Sequence, residues 1–326
     1  MKVNCQEKRG LAIQRTGMHV AGAFIVLLGL LLSGCDSEPD RATVMSEDTD
    51  TPTATSSDTL PVSLTSPVRL TGSGAQLAAT DYQTQYVFLY DKYTMQSEPS
   101  FAIPGAPLAI GKAGSLLYIG NETSGSVEVY NFAGTWQFDL GGAKGLIGQP
   151  QDLAIDEGAG FVFVVDGAAK NVKIFDLAGT AMGTIADAAR IYNPTAVALD
   201  TVNLLVFISD YGKINTAFGN PARVHTYTYT GTYVRSITGS SGGFSRPQGV
   251  TYDDGHLFVV DAVLGQVLIF DSTTGAKLKA LGSFGSGPGE LQLPLDVAVD
   301  AVSKDVYVTN NRQGRIEVFA GGGTVP

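Results

Sequence analysis

A unit of forty to fifty residues recurs along this chain, and that recurrence narrows the possible folds more than any other feature. Its clearest copies read QPQDLAIDEGAGFVFVVDGAAKNVKIFDLAG, RPQGVTYDDGHLFVVDAVLGQVLIFDSTTG and LGSFGSGPGELQLPLDVAVD followed by KDVYVTN and GRIEVF. Each copy carries an acid or amide after an apolar strand, at Asp81, Asn121, Asp166, Asp210, Asp261 and Asn310, spaced by 40, 45, 44, 51 and 49 residues. Several short strands per unit at such a period predict a ring or array of β-sheets. The copies also act as internal controls. What they share is structural, and what breaks the pattern is where function can reside.

Upstream of each marker a first strand is opened by proline, at Pro67, Pro150, Pro194, Pro247 and Pro294. The second copy reads as the exception, with Gly105 at the aligned position and Pro104 beside it. On that alignment the residue three further on is always apolar (Leu70, Leu108, Leu153, Val197, Val250, Val297). The next is always small (Thr71, Ala109, Ala154, Ala198, Thr251, Ala298), as expected where six sheets crowd an axis. The second strands are near-continuous apolar runs (FVFVVD, LLVFISD, HLFVVD), which bury both faces of a sheet between neighbours. With 40 glycines and 16% charged residues, the composition suits a turn-rich all-β domain.

These residues resemble the NHL repeat: a proline, a short apolar strand ending in Asp, an apolar strand ending in V-x-D, a third strand like R-I-x-V-F, and a Gly-rich link. Residues 281 to 319 carry the resemblance most closely, and it extends over about residues 67 to 320. It implies a six-bladed β-propeller with four-stranded blades. The last copy offers only three strands before GGGTVP, while LPVSLT at residues 60–65 has no other partner. That N-terminal segment is therefore expected to close blade six as its outer strand and cover an exposed edge.

The first 34 residues read as an export signal. Lys2, Lys8, Arg9 and Arg15 precede an apolar run from Val20 to Leu32 that ends in LSGC. The run is too short for a comfortable membrane span. LSGC resembles the lipobox of bacterial lipoproteins, which implies cleavage before Cys35 and a lipid on its thiol. Met18 offers a second possible start, but it would lose the basic residues. Cys5 leaves with the signal, so the mature chain has one cysteine and no intrachain disulfide. Residues 35–59 then form an acidic tether, rich in Ser, Thr, Asp and Pro and without aromatics, that cannot bury enough apolar surface to fold. Residues 60–326 are the folded domain. Removing a signal of net +3 takes the chain from −10 to −13, of which the tether holds −6 and the domain −7. That sign opposes nucleic acid and anionic lipid as electrostatic partners.

The candidate chemistry is sparse. The marker acids recur too regularly for catalysis. Asp or Asn at a turn accepts backbone N–H bonds, and Asn121 and Asn310 stand in freely for Asp. The position two after the opening proline does vary: Arg69, Pro107, Asp152, Ala196, Gly249, Asp296. By the propeller resemblance it lies at the mouth of the central channel, with Asp152 and Asp296 facing each other. One reading is a cation or polar-ligand site. The plainer one is an Arg69–Asp296 pair that helps closure, with Asp152 solvated. Two carboxylates alone are few for a hard cation wanting six or more oxygens. His225 and His256 cannot supply the several histidines of amidating-lyase relatives, and no G-x-S-x-G elbow is present. Lactonase-like relatives hold calcium with Glu, Asn and Asp, for which only Asp152 and Asp296 qualify. The copy at Asp210 carries eight extra residues within the loop YGKINTAFGNPAR, residues 211–223, placing Tyr211 and Phe218 as aromatic contacts on the channel-mouth face.

Together these observations predict a membrane-anchored, extracytoplasmic lipoprotein of the bacterial cell envelope. Its monomeric propeller would be a non-catalytic scaffold binding a protein, peptide or glycan, with no cofactor. The alternative is a calcium-dependent propeller hydrolase or lyase with its site at the channel mouth.

Overall fold

The computed structural model describes residues 64–94, 96–213, 221–238 and 243–325. Cys35, the signal, the tether and Phe218 lie outside them. The described residues form six antiparallel sheets, each built from strands consecutive in sequence. Five have four strands, and blade six has three among the described residues. The innermost strands are Pro67–Ser73, Pro107–Ala113, Pro150–Asp156, Pro194–Asp200, Pro247–Asp253 and Pro294–Val299. Each packs against the next, and the sixth returns to the first, so the chain is an all-β, six-bladed propeller.

The core is divided into six seams, one between each pair of neighbouring blades. The second strands explain this division. In blade three, Val162 and Val164 face the seam with blade two, while Phe163 and Val165 face the seam with blade four. All four are fully buried, at about 1.5–3 kcal/mol each of hydrophobic stabilisation. The seam that closes the ring is built the same way, from Leu70, Leu77, Ala79 and Tyr90 of blade one and Tyr307, Ile316 and Val318 of blade six.

Leu64 belongs to that closing seam. Its carbonyl passes Gly314 so closely that a Cβ there would lie 2.6 Å from the oxygen. Asn311 donates to the Ser66 hydroxyl at 2.9 Å and to the Pro67 carbonyl at 3.0 Å. The start of the propeller thus runs beside the third strand of its last blade. Residues 60–63, the body of the expected closing strand, lie outside the described residues. On the opposite rim, Lys92 of blade one pairs with Asp300 of blade six.

The pairing corrects the alignment of the second copy. Pro107, not Gly105, lies opposite Asn121, as Pro67 lies opposite Asp81 and Pro150 opposite Asp166. All six blades therefore open on proline. The channel-mouth position of blade two is Ala109 rather than Pro107, and the apolar and small positions fall on Ile110 and Gly111. The small-residue rule survives the shift. A Cβ on Gly111 would meet the Leu153 side chain of blade three at 2.2 Å.

The marker residues bind backbone, as turn chemistry requires. In blades one, four and five one carboxylate oxygen accepts amides of the turn that follows and the other accepts amides of the segment entering the first strand, while in blade three Oδ1 of Asp166 takes both the Ala169 turn amide and the incoming Gln149 amide, and Oδ2 takes that of Gly148. Asp261 accepts from Val263 and Leu264 at 3.1 Å and from Ser245 and Arg246 at 2.6 and 3.0 Å. The Asn blades depart from this pattern. The Asn121 amide donates to the Pro104 carbonyl at 3.0 Å, and the Asn310 amide donates to the Glu290 carbonyl at 2.9 Å. Where the incoming segment presents a carbonyl, as Pro104 and Glu290 do, the side chain donates, and Asn310 also accepts the Gln292 amide at 2.9 Å on its oxygen.

Candidate functional site

In every blade the ladder slips just after the opening proline, a bulge that leaves one inner-strand residue without its cross-strand partner. In blades three to six the carbonyl of the residue following that proline turns towards a common point. There it meets the side chain of Arg69, the channel-mouth residue of blade one. Arg69 donates from Nε to the Gln151 carbonyl at 3.0 Å and from Nη1 to the Leu295 carbonyl at 2.7 Å. Its Nη2 donates to the Thr195 carbonyl at 2.5 Å, and both terminal nitrogens reach the Gln248 carbonyl at 3.5 Å. One residue, 2% exposed, ties blade one to four others through its side chain.

The two channel-mouth carboxylates converge on the same guanidinium. Asp152 Oδ1 lies 3.4 Å from Nε, and Asp296 Oδ1 lies 3.5 Å from Nη1. Asp152 is buried and paired, not solvated as the plainer sequence reading supposed. The second oxygen of each carboxylate reaches into the next blade. Asp152 accepts the Val197 amide of blade four, and Asp296 accepts the Leu70 amide of blade one, both at 2.9 Å. Main-chain bonds between blades thus fix both rotamers. Hydroxyls complete the layer: Thr195 donates to the Pro247 carbonyl of blade five at 3.0 Å, and Thr309 donates to the Val68 carbonyl of blade one at 3.3 Å.

The electrostatics follow from two negative groups and one positive group in a dry site. Burial raises the Asp152 carboxyl against the pull of Arg69. Burial also pushes Asp296 up to about 7, opposed by Arg69 and reinforced by the charge of Asp152. One arginine does not fully compensate two buried acids.

Calcium does not fit this arrangement. The place it would take between the carboxylates is filled by a guanidinium, and each carboxylate has only one oxygen facing that place. Among the described residues no group of three His, Cys, Asp or Glu side chains could hold a metal. The other candidates lie apart. His225 is buried in blade four, where its Nδ1 lies 2.7 Å from the Ser236 hydroxyl and burial lowers its pKa. His256 opens the second strand of blade five, at the strand end away from Asp261.

Tyr211 follows Asp210 on the channel-mouth side of the ring and is half-buried, with the Arg246 guanidinium 5.8 Å from its ring centre. Lys213 lies 4.2 Å over Tyr192, on the link into the same blade. On that side blade five exposes Val263 and Leu264, and the link after it exposes Phe284. A Cβ on Gly265 would meet the Phe284 backbone at 2.9 Å, so these apolar residues adjoin one another. The insertion drew attention to Tyr211. Nothing in the linear sequence joined it to Tyr192, Val263, Leu264 and Phe284, which meet on one side only through the repeat register.

Comparison with known proteins agrees with the fold. The DUF5128 family model, described as a 6-bladed beta-propeller, matches residues 231–320. No curated protein matches the chain. Among solved structures, a chain of Kuenenia stuttgartiensis hydrazine synthase is similar over 79% of this chain and 77% of its own, with a TM-score of 0.55 and 16% identity. In all, 1525 chains of solved structures match, so the shape carries no functional assignment by itself.

Proposed function

We propose that this chain is a lipid-anchored envelope lipoprotein of NHL type. Its propeller is a recognition module that binds a protein or peptide partner on the channel-mouth face. One observation carries this reading: the two acids that could have served chemistry at the mouth are held by Arg69 and by main-chain amides of the next blade. The marker acids are likewise committed to turns. What remains available on that face is a rim of aromatic and aliphatic side chains interleaved with Lys213 and Arg246, on a framework tied blade to blade. Such a surface favours rigid recognition with loops setting specificity. Lipidation at Cys35 and the acidic tether would hold the ring clear of the bilayer while leaving this face free to turn. No helix of the described residues is long and apolar enough to cross a membrane, and the anchoring rests on LSGC and the apolar run before it. The test is crosslinked capture from native envelopes, comparing the full chain with a deletion of residues 212–222. The proposal expects partners lost on deletion, and identical partner sets would remove the insertion from the account.

A further inference from the structure

We propose that the axis of this ring is an oxygen-lined cation site that the chain fills with its own arginine. Removing Arg69 would convert it into a site for a calcium-class divalent cation. The inference is independent of the partner-binding reading above.

Four main-chain carbonyls, from Gln151, Thr195, Gln248 and Leu295, point at one place from four blades. The Oδ1 atoms of Asp152 and Asp296 point at the same place. The bulge after each opening proline fixes the carbonyls, and the Val197 and Leu70 amides fix the carboxylates. The six oxygens are therefore held by the backbone of the ring and not by Arg69 itself. Without a positive group at their centre, six acceptors, two of them on buried charged carboxylates, would face one another with no donor, which a folded protein does not tolerate cheaply. The surrounding positions are shaped to leave the space clear. The channel-mouth residues of the other three blades are Ala109, Ala196 and Gly249, and a Cβ on Gly249 would lie 2.6 Å from Asp296 Oδ1.

A planar guanidinium with five donors suits such a ring of acceptors. Its single charge nevertheless faces two carboxylates and leaves one of them uncompensated. A divalent ion would neutralise both acids. The donors are all oxygen, which selects a hard cation. They converge from four separate strands on a place wide enough for a guanidinium, which favours calcium, with its six to eight flexible ligands, over magnesium, which requires near-ideal octahedral geometry at about 2.0–2.1 Å.

The experiment follows the melting temperature of the purified full chain, in chelator and in about 1 mM calcium chloride. It compares wild type, Arg69→Ala and the triple variant Arg69→Ala/Asp152→Asn/Asp296→Asn. Arg69→Ala should melt below wild type in chelator and recover by about 5–10 °C in calcium, the shift expected for a site filled at about 100 times its Kd. Sodium chloride at matched ionic strength should not reproduce the recovery, and neither wild type nor the triple variant should respond to calcium. An Arg69→Ala chain indifferent to calcium, or a wild type or triple variant that responds as strongly, would overturn the proposal. If Arg69→Ala does not fold in chelator, refolding yield replaces melting as the readout. A yield restored by calcium supports the site. A yield that stays at nil with calcium, with Arg69→Gln also indifferent to the ion, refutes it.

Discussion

The marker residues make a demanding prediction, because Asp and Asn differ by one oxygen and here that oxygen has different work in different blades. Asp261 is fully buried and accepts four amides, two on each oxygen. In Asp261→Asn the carbonyl oxygen can keep the Val263 and Leu264 amides, but the side-chain NH₂ then faces the amides of Ser245 and Arg246. Two charge-assisted bonds, worth about 1.5–3 kcal/mol each, are replaced by opposed donors. The expected loss is about 3–5 kcal/mol, or about 10 °C in melting temperature for a domain of this size. The reciprocal change, Asn121→Asp, sets a carboxylate against the Pro104 carbonyl and should cost about 2–4 kcal/mol. Both are read by thermal melting followed by circular dichroism and checked by urea midpoint. If both exchanges shift melting by less than about 2 °C, the markers are not matched to the polarity of the incoming segment and the reasoning fails.

Four further outcomes follow from particular contacts. A carboxyl raised in the folded state costs stability as it ionises, so the contribution of Asp296 is whole below about pH 4 and lost as pH rises through about 7. The fall in melting temperature of wild type over that interval should be shallower in Asp296→Asn, and parallel profiles would contradict it. Asp300 behaves oppositely: burial alone would raise it, but Lys92 and the Ser303 and Val302 amides outweigh that and hold it at about 2. Its stabilisation is present above about pH 4 and lost as pH falls towards 2, so Lys92→Met should lose stability at neutral pH and narrow its gap from wild type in acid. Gly314→Ala, at φ 61° and against the Leu64 carbonyl, should destabilise the ring by about 1–3 kcal/mol. Deleting residues 60–66 should lower the melting temperature further, and two silent results would remove this segment from ring closure.

Much of this architecture was legible because repetition exposes backbone requirements. Proline at the strand start, a small residue four places on and continuous apolar second strands each have one physical reading, and the six seams meet it. The second copy misled because PGAP offers two prolines, and only the pairing with Asn121 shows which one opens the strand. Arg69, Asp152 and Asp296 were visible as departures from the pattern. Their arrangement was not, since the four carbonyls that receive Arg69 belong to residues of unrelated type and are aimed by a bulge. The same limit applies to Asn against Asp at the markers, where the Asn side chains meet a carbonyl of a segment distant in sequence.

The acids at the channel mouth hold the ring together and are not the ligands of a catalytic metal. Metal analysis of the purified wild-type chain, paired with its melting temperature before and after chelation, tests it directly. The arrangement around Arg69 predicts no stoichiometric calcium and no change in melting on chelation. One equivalent of calcium, lost on chelation and absent from Asp152→Asn and Asp296→Asn, would contradict it.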